Sequence, residues 1–585
     1  MRAATTEHLL EEFPAVTRAE WEAAIARDLK GADYESRLIW HAENGIAVRP
    51  YYRAEDLKDL AWMDAAPGQF PYRRGARATG DWHIREEINA DNAHAANREA
   101  QAAVAAGAEE IAFRGFLVES SAELDAILAG HQEIPVHFDL ADERLIRLLM
   151  EEFRAGRRSA RISTGYDALT NLDFAAEAIG AELDGFVPFT IHADAFEDAG
   201  ATTAEEIGFT LASGVDFLAA IEQRGMKAVQ AASAIEFSFA LGSNYLFQIA
   251  KLRAFRMLWA RVVESFGGAR PAARARIVAR TSRWNKTIYD PHVNILRATT
   301  EVMAAALGGA DSVLAAPYDA CYKRPDEASR RLARNTQLLL KHEAHLERAA
   351  DAAGGSYVIE TITELLASEG WKTMQEIEAR GGYRQAQKHG AIAAALERSM
   401  AAREKAVALR RRVFVGTNHF ANAAEKALGR CDVERMCEQK RGAQSYEELR
   451  LRTESHAANG GSTPRVLLAE LGDIKMRTAR SNFAANFFAC AGFETVTRRF
   501  KKAAEIATAD CDVIVLCGAD EEYAAIVAEL APRLKAAGRK TPLIVAGKPE
   551  DALALAAAGV ADFVHVRTNA IESLTQWQTK LGIRG

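Results

Sequence analysis

The chain has 585 residues, of which 49% are hydrophobic and 26% charged, and a formal net charge of −7. This length exceeds what one hydrophobic core supports and predicts several domains, and the acidic balance excludes an overall basic field that would recruit nucleic acid. No apolar run approaches the roughly 20 residues that span a bilayer. Residues 1–21 form an acidic, helix-like pattern without the apolar stretch of a signal peptide. We therefore expect a cytoplasmic protein with neither a nucleic-acid nor a membrane partner.

The six cysteines are scattered and form no Cys-x-x-Cys pair. Cys490, Cys511 and Cys517 lie in apolar runs and are predicted to be core thiols. This use of cysteine fits a reducing compartment.

Residues 1–60 are predicted to form an N-terminal arm. LLEEF (9–13) and EWEAAIARDL (20–29) have helical spacing of apolar residues, and GIAVRPYY (45–52) is predicted to be extended. Because the arm contains several aromatic residues, we expect it to pack on another domain or subunit.

Short β-rich runs alternate with long periodic helices over residues 61–440. Such alternation indicates parallel strands with right-handed crossovers, and the length favours a (β/α)8 barrel, whose sites lie on the loops that follow the strands. The clearest strand-like runs are 109–115, 133–139, 184–194, 274–281 and 310–319.

The polar segment 441–463 ends in Gly460-Gly461-Ser462 and is predicted to be a linker. Residues 464–585 then contain five strand-like runs with helices between them, which predicts a small doubly wound domain of flavodoxin-like size. In such a sheet the loop after a strand normally receives the ligand. The loop after the first strand of this domain contains Gly472 as its only glycine.

Motifs in the middle of the chain resemble those of the adenosylcobalamin-dependent acyl-CoA mutases, with methylmalonyl-CoA mutase as the best match. The similarity covers nearly the whole chain in the same domain order. It implies a TIM barrel followed by a flavodoxin-like, cobalamin-binding-type domain. The residues that match the family pattern are Asp290-Pro291, Asn294, Arg297, Arg334-Asn335-Thr336-Gln337 and Gly355-Ser356-Tyr357 with Glu360.

The first loop of the small domain departs from that pattern. The resemblance implies Asp-x-His-x-x-Gly, in which histidine ligates cobalt and glycine lets the backbone approach the nucleotide tail. This chain has Asp473, Lys475 and Thr478 at these positions. A lysine ammonium has no lone pair near neutral pH, and threonine adds a Cβ. Two later glycine-rich loops are also replaced, at 546–548 and 566–569, so we expect a degenerate domain that binds no cobalamin.

The barrel departs from the pattern as well. The resemblance implies a Tyr-His pair at the substrate carbonyl, and Asp194 and Ala195 occupy those two positions. The family's tyrosine over the reacting radical has no counterpart in 73–87, and Val278-Ala279-Arg280 replaces a His-x-Gln. We therefore predict no catalytic residue in this chain.

Four other polar motifs favour structural roles over ligand binding. His342 and His345 are predicted to lie on a solvated face rather than to bind a metal. Gly354-Gly355 is predicted to form a structural turn rather than a phosphate cradle. His192 and Asp194 are predicted to be satisfied polar groups rather than an acid/base pair. Lys475 is predicted to form a salt bridge rather than to bind an anion.

These departures resemble the small, non-catalytic subunits of heterodimeric methylmalonyl-CoA mutases. The resemblance implies that a large paralogous subunit carries adenosylcobalamin and interconverts (R)-methylmalonyl-CoA and succinyl-CoA, while this chain binds no cofactor or metal and is inactive alone. Two alternatives stay open. The chain could be an active acyl-CoA mutase with altered cobalamin binding, or a homodimeric acyl-CoA-binding protein without chemistry.

Overall fold

The computed structural model describes residues 14, 16–61, 63–157, 160–268, 270–432 and 440–583. The predicted helical run at 9–13 lies outside these residues. In the described part of the chain, no helix has the length and apolar character needed to cross a membrane.

The strands alternate with helices along most of the chain. In chain order the strands are β1 (Trp40–His41), β2 (Ala47–Val48), β3 (His83–Asn89), β4 (Glu110–Arg114), β5 (Val136–Phe138), β6 (Ile162–Thr164), β7 (Phe186–Val187), β8 (Phe189–His192), β9 (Ile235–Leu241), β10 (Ile277–Thr281), β11 (Ser312–Leu314), β12 (Arg465–Glu470), β13 (Glu494–Arg499), β14 (Val513–Cys517), β15 (Leu543–Ala546) and β16 (Val560–Val564). The α-helices are Arg18–Asp28, Tyr34–Leu38, Ala93–Ala105, Ser121–Leu128, Glu143–Arg154, Leu172–Gly180, Ala193–Asp198, Thr203–Glu222, Ala228–Ser233, Tyr245–Ser265, Val293–Leu307, Glu327–Leu338, Tyr357–Glu378, Tyr383–Lys388, Ala391–Ala408, Gln444–Ala458, Ile474–Ala489, Tyr523–Ala536, Ala552–Ala557 and Ala570–Lys580.

The strands β3 to β11 form one parallel sheet that closes into a barrel, in the order β7-β6-β5-β4-β3-β11-β10-β9-β8. Only Pro188 separates β7 from β8. Since β7 pairs with β6 and β8 pairs with β9, the segment 186–192 serves as one strand and completes an eight-stranded ring. The predicted (β/α)8 fold is confirmed.

Local sequence explains the helices that surround the barrel. In Glu143–Arg154, the carboxylate of Asp142 accepts a hydrogen bond from the N–H of Leu145 at 2.8 Å and caps the helix. Leu145, Ile146 and Leu149 then recur on one buried face. This face packs into the main core, as the helical period requires.

Charged side chains fill part of the barrel interior. Arg85 donates to Glu110 at 2.8 Å, and the Nη2 of Arg161 donates to the same carboxylate at 2.9 Å. Glu236 accepts from Nε of Arg276 at 3.1 Å and lies 3.6 Å from Arg85. These contacts join five side chains around the ring in a charged layer inside the barrel.

The second domain has a five-stranded parallel sheet in the order β13-β12-β14-β15-β16. This is the flavodoxin-like order, in which the chain reverses direction across the sheet between β12 and β14. All five strands fall on the runs predicted from the sequence. Apolar side chains fill a core on each face of the sheet, and Ala484, Phe487 and Phe488 form the buried face of the helix Ile474–Ala489.

The segment 441–463, for which the sequence predicts a linker, contains the helix Gln444–Ala458. Tyr446 is buried and donates to the carbonyl of Val407 at 3.1 Å, which ties the helix to the barrel side. Gln578 donates to the carbonyl of Leu449 at 2.6 Å, which ties it to the small domain. The polar residues Glu447, Arg450 and Glu454 are themselves buried in ion pairs and hydrogen bonds.

The described part of the N-terminal arm contacts the barrel. The Glu43 carboxylate accepts hydrogen bonds from the backbone N–H and the hydroxyl of Thr203 at 3.1 and 3.2 Å. Ile46 and Val48 join the main core. The arm therefore packs on another part of the chain, as its apolar content predicts.

Candidate functional site

The carboxyl ends of the barrel strands surround a cavity of about 310 Å³. Its walls come from β3, from the carboxyl ends of β10 and β11 with the loops that follow them, and from the helix Glu327–Leu338. Ligands of (β/α)8 barrels bind at this end of the ring, so the cavity is the candidate substrate site.

Asp194 and Arg280 form an ion pair beside this cavity. Asp194 lies in the first turn of the helix Ala193–Asp198, directly after β8, and Arg280 is the penultimate residue of β10. Nε of Arg280 donates to Oδ2 of Asp194 at 2.6 Å, and Nη2 donates to Oδ2 of Asp198 at 2.6 Å. Ala195 is exposed on the same helix and contributes no polar atom. Two positions that depart from the family pattern thus neutralise each other.

Burial and neighbouring charges shift the pKa values of the two carboxylates in this cluster. Burial raises the pKa of Asp194, but the charge of Arg280 and the hydrogen bond and charge of His192 outweigh it, so the pKa is held well below its usual range. Burial raises the pKa of Asp198 to about 6; Arg280 opposes this shift, and the negative charges of Glu197 and Asp194 add to it. Asp194 therefore stays ionised as the partner of Arg280.

His192 ends β8 and is tied to the same cluster. Its Nε2 lies 2.9 Å from the carbonyl oxygen of Gly165, and its Nδ1 lies 3.5 Å from Oδ1 of Asp194. Burial lowers the pKa of His192, but the hydrogen bond and charge of Asp194 outweigh it and raise the pKa to about 9. Nε2 has a carbonyl acceptor and Nδ1 lies within ion-pair distance of Asp194, but among the described residues Oδ1 of Asp194 is a buried atom without a hydrogen-bond partner. That His192 and Asp194 are both satisfied polar groups therefore stays a prediction.

The loop after β12 is short because a helix begins almost at once. Asp473 is the N-cap of Ile474–Ala489, and its Oδ1 accepts from the N–H of Met476 at 2.8 Å. Lys475 and Thr478 lie on the exposed side of the first turns. Lys475 forms no ion pair with any described residue, so the predicted salt bridge does not form there.

Side chains of the protein itself cover the two glycines at this edge of the sheet. A Cβ on Gly472 would clash with the carboxylate of Glu522. A Cβ on Gly547 would lie 2.9 Å from Oδ1 of Asp520 and 3.0 Å from Nη1 of Arg480, and these two side chains form an ion pair at 2.9 Å. These side chains therefore occupy the space into which a Cβ on either glycine would project.

These residues do not fit cobalamin. Lys475 offers no imidazole at the position of the cobalt ligand in the family pattern. His565, which no sequence motif indicates, lies beyond β16, three strand positions and about 14 Å along the sheet from β12. Its Nδ1 already accepts the N–H of Arg567 at 3.1 Å.

The surroundings of the histidine pair and of the glycine pair indicate structural roles for both motifs. His342 and His345 are exposed, and among the described residues no group of His, Cys, Asp and Glu side chains is arranged to hold a metal ion. The N–H of Gly354 donates to Asp351 O at 2.8 Å, and the N–H of Gly355 donates to the Glu360 carboxylate at 3.0 Å. These glycines form a turn whose N–H groups are already used.

The fold and the two sites define a class: a TIM barrel whose mouth carries polar side chains, followed by a flavodoxin-like domain. A family model described as Methylmalonyl-CoA mutase matches residues 41–115 and 167–471, more than half of the chain. The chain belongs to this family, as its motifs predict.

Relatives named as small subunits match almost from end to end. The "Methylmalonyl-CoA mutase small subunit" of Porphyromonas gingivalis is 36% identical, over 99% of this chain and 99% of the relative. The protein of the same name from Streptomyces virginiae is 32% identical over 98% of each. The "Methylmalonyl-CoA mutase" of Cereibacter sphaeroides is 28% identical over 74% of this chain and 68% of its own length.

Proposed function

We propose that this chain is the non-catalytic small subunit of a heterodimeric methylmalonyl-CoA mutase. Its large partner would carry adenosylcobalamin and interconvert (R)-methylmalonyl-CoA and succinyl-CoA. The observation that carries the proposal is the ion pair between Asp194 and Arg280 at the barrel mouth. The two side chains neutralise each other where the family pattern has a tyrosine and a glutamine, so neither a phenol nor an amide is presented to a substrate carbonyl.

The flavodoxin-like domain supports the same proposal independently. Asp473 caps a helix, Lys475 lies exposed in its first turn, and the Arg480–Asp520 pair fills the edge of the sheet. Loss at both sites is expected when a chain keeps its fold for assembly while another chain performs the chemistry. The full-length match to relatives named as small subunits adds support.

The proposal is tested by purifying the tagged full-length chain from its own organism and recording native mass spectra together with the cobalamin absorbance. We expect a one-to-one complex with a larger chain that holds all the cobalamin. A homodimer that carries cobalamin would contradict the proposal, and so would a homodimer without any partner.

Activity provides the second readout. The isolated chain with added adenosylcobalamin is expected to show no conversion of methylmalonyl-CoA to succinyl-CoA, whereas the reconstituted complex is expected to show full activity. In the complex, Asp194→Ala in this chain should leave the turnover number unchanged. A loss of turnover with an intact complex would mean that this barrel takes part in catalysis.

A further inference from the structure

The walls of the barrel-mouth cavity are strongly basic. Arg and Lys side chains on them outnumber Glu side chains by nine to two, although the whole chain has a net charge of −7. A concave surface lined by one sign of charge focuses the field and concentrates ions of the opposite sign. Ion pairs behind the wall decide how much of this charge is still available.

Most of these cations have a carboxylate partner. Lys286 pairs with Glu301 at 2.8 Å, and Arg334 pairs with Glu86 at 2.5 Å. Arg280 pairs with Asp194, as described above. These groups hold the wall in place but contribute little net charge to the cavity.

Arg283 differs from them. It is half-buried in the loop after β10, and its guanidinium forms no ion pair or hydrogen bond with any described residue. Burial, followed by the positive charges of Arg280 and Arg114, lowers the pKa of Arg283. A cation held near other cations in a partly desolvated site is stabilised when an anion binds beside it.

Buried N–H groups on the same wall also lack acceptors. Within the part of the chain that the structure describes, Nη1 of Arg280, Nε of Arg334 and Nε of Arg85 have no hydrogen-bond partner. Each of these side chains is more than nine-tenths buried. Buried unpaired donors are rare in native proteins and destabilise the fold unless an acceptor is supplied.

We propose that the mouth cavity binds a small oxyanion, a carboxylate or a phosphate, with Arg283 as its charge partner and Arg280 and Arg334 as further N–H donors. The planar guanidinium matches both oxyanions with two parallel hydrogen bonds. A volume of about 310 Å³ is at the lower end for ligand pockets. A cavity of this size suits a small metabolite rather than an extended thioester.

The apolar part of the wall favours a ligand with a short carbon skeleton. Ala315, Ala316 and Pro317 follow β11 and face the same cavity as Arg283. An anion that carries a few carbon atoms can place its charge on the guanidinium and its carbons against this segment. The site does not depend on whether the chain is catalytic, so it is tested separately from the proposed function.

The test is isothermal titration calorimetry on the purified full-length chain in low-chloride buffer, with inorganic phosphate and malonate as separate probes. We expect saturable binding of at least one probe, and the preferred probe identifies the group as phosphate or carboxylate. Arg283→Gln should weaken that binding about tenfold or more, because a charge-assisted pair is lost.

A matched variant separates the site from general electrostatics. Arg533→Gln removes the same charge from an exposed position on the remote helix Tyr523–Ala536 and should leave the affinity unchanged. Arg283→Lys keeps the charge without the planar fork and should give an intermediate affinity. The proposal is overturned if neither probe saturates, or if Arg283→Gln binds as tightly as the unaltered chain while melting at the same temperature.

Discussion

Nε of Arg280 lies 2.6 Å from Oδ2 of Asp194, and the pair links the end of β10 to the first turn of the helix that follows β8. Both side chains are largely buried. Asp198 shares the same guanidinium, so one cation balances two carboxylates. The pair therefore joins two loops at the barrel mouth and gives this end of the ring a fixed geometry.

Removal of the cation should destabilise the barrel more than removal of one anion. Arg280→Gln leaves Asp198 without its ion-pair partner and Asp194 with only protonated His192 as a counter-charge, and we expect a loss of roughly 3 kcal/mol in the free energy of unfolding. Asp194→Asn leaves Arg280 paired with Asp198, and the loss should be roughly 1 to 2 kcal/mol. Differential scanning calorimetry measures both, with Arg533→Gln as the control. Equal losses, or a double variant whose loss is strictly additive, would contradict a shared ion pair.

The pKa of His192 predicts a stability change on the alkaline side. Its folded pKa of about 9 lies above the ordinary value of 6.5. The stabilisation from protonated His192 is therefore fully present below the ordinary pKa and is lost as the pH rises through about 9. His192→Gln should lower the melting temperature at about pH 6 and have a much smaller effect at about pH 10. A deficit that is the same at both pH values would contradict the assigned pKa.

A histidine introduced at position 475 should not restore cobalamin binding. In Lys475→His an imidazole replaces the ammonium, but Glu522 still covers Gly472 and the Arg480–Asp520 pair still covers Gly547. We expect no cobalamin absorbance to co-elute with the variant in gel filtration, even at excess cofactor. The combination Lys475→His with Thr478→Gly is the stronger version of the same test. Stoichiometric retention by either variant would show that the edge of the sheet opens more readily than its packing indicates.

The helix Gln444–Ala458 should be needed for an independent small domain. Tyr446 and Leu449 pack into the same apolar core as Phe488 and Trp577. A fragment of residues 464–585 leaves that core open to water, whereas a fragment of residues 441–585 keeps part of it covered. We expect the longer fragment to melt cooperatively at a higher temperature, as followed by near-ultraviolet circular dichroism. Identical melting curves for the two fragments would contradict this prediction and place the domain boundary at residue 464.

Sequence patterns predict the small domain better than the barrel. Strands such as β14 are continuous apolar runs between turns, and these are readily recognised. The barrel strands β3, β6 and β9 were not singled out. In β3, Arg85 points into a charged interior, so the strand lacks the apolar pattern that reveals a buried strand. Ion pairing between distant parts of the chain, which a single sequence does not display, hides such strands.

The candidate sites show the same division. Motif comparison identified Asp194, Lys475 and Thr478 as departures from the family pattern. Motif comparison did not reveal that Asp194 and Arg280 form an ion pair, because the two residues are 86 positions apart in the chain. Nor did it single out Arg283 as a cation without a partner, since that depends on where every nearby carboxylate lies.

The barrel should open more readily at the segment 186–192 than elsewhere in the ring. Pro188 has no N–H to donate. Where β7 leaves its pairing with β6 and β8 begins its pairing with β9, the hydroxyls of Thr164 and Thr190 and a backbone bond from Thr190 to Tyr166 join the ring. Native proteins open locally where few protected hydrogen bonds hold them. Deuterium should therefore enter the amides of 186–192 sooner than those of β10, and solvent should reach the interior first through this seam.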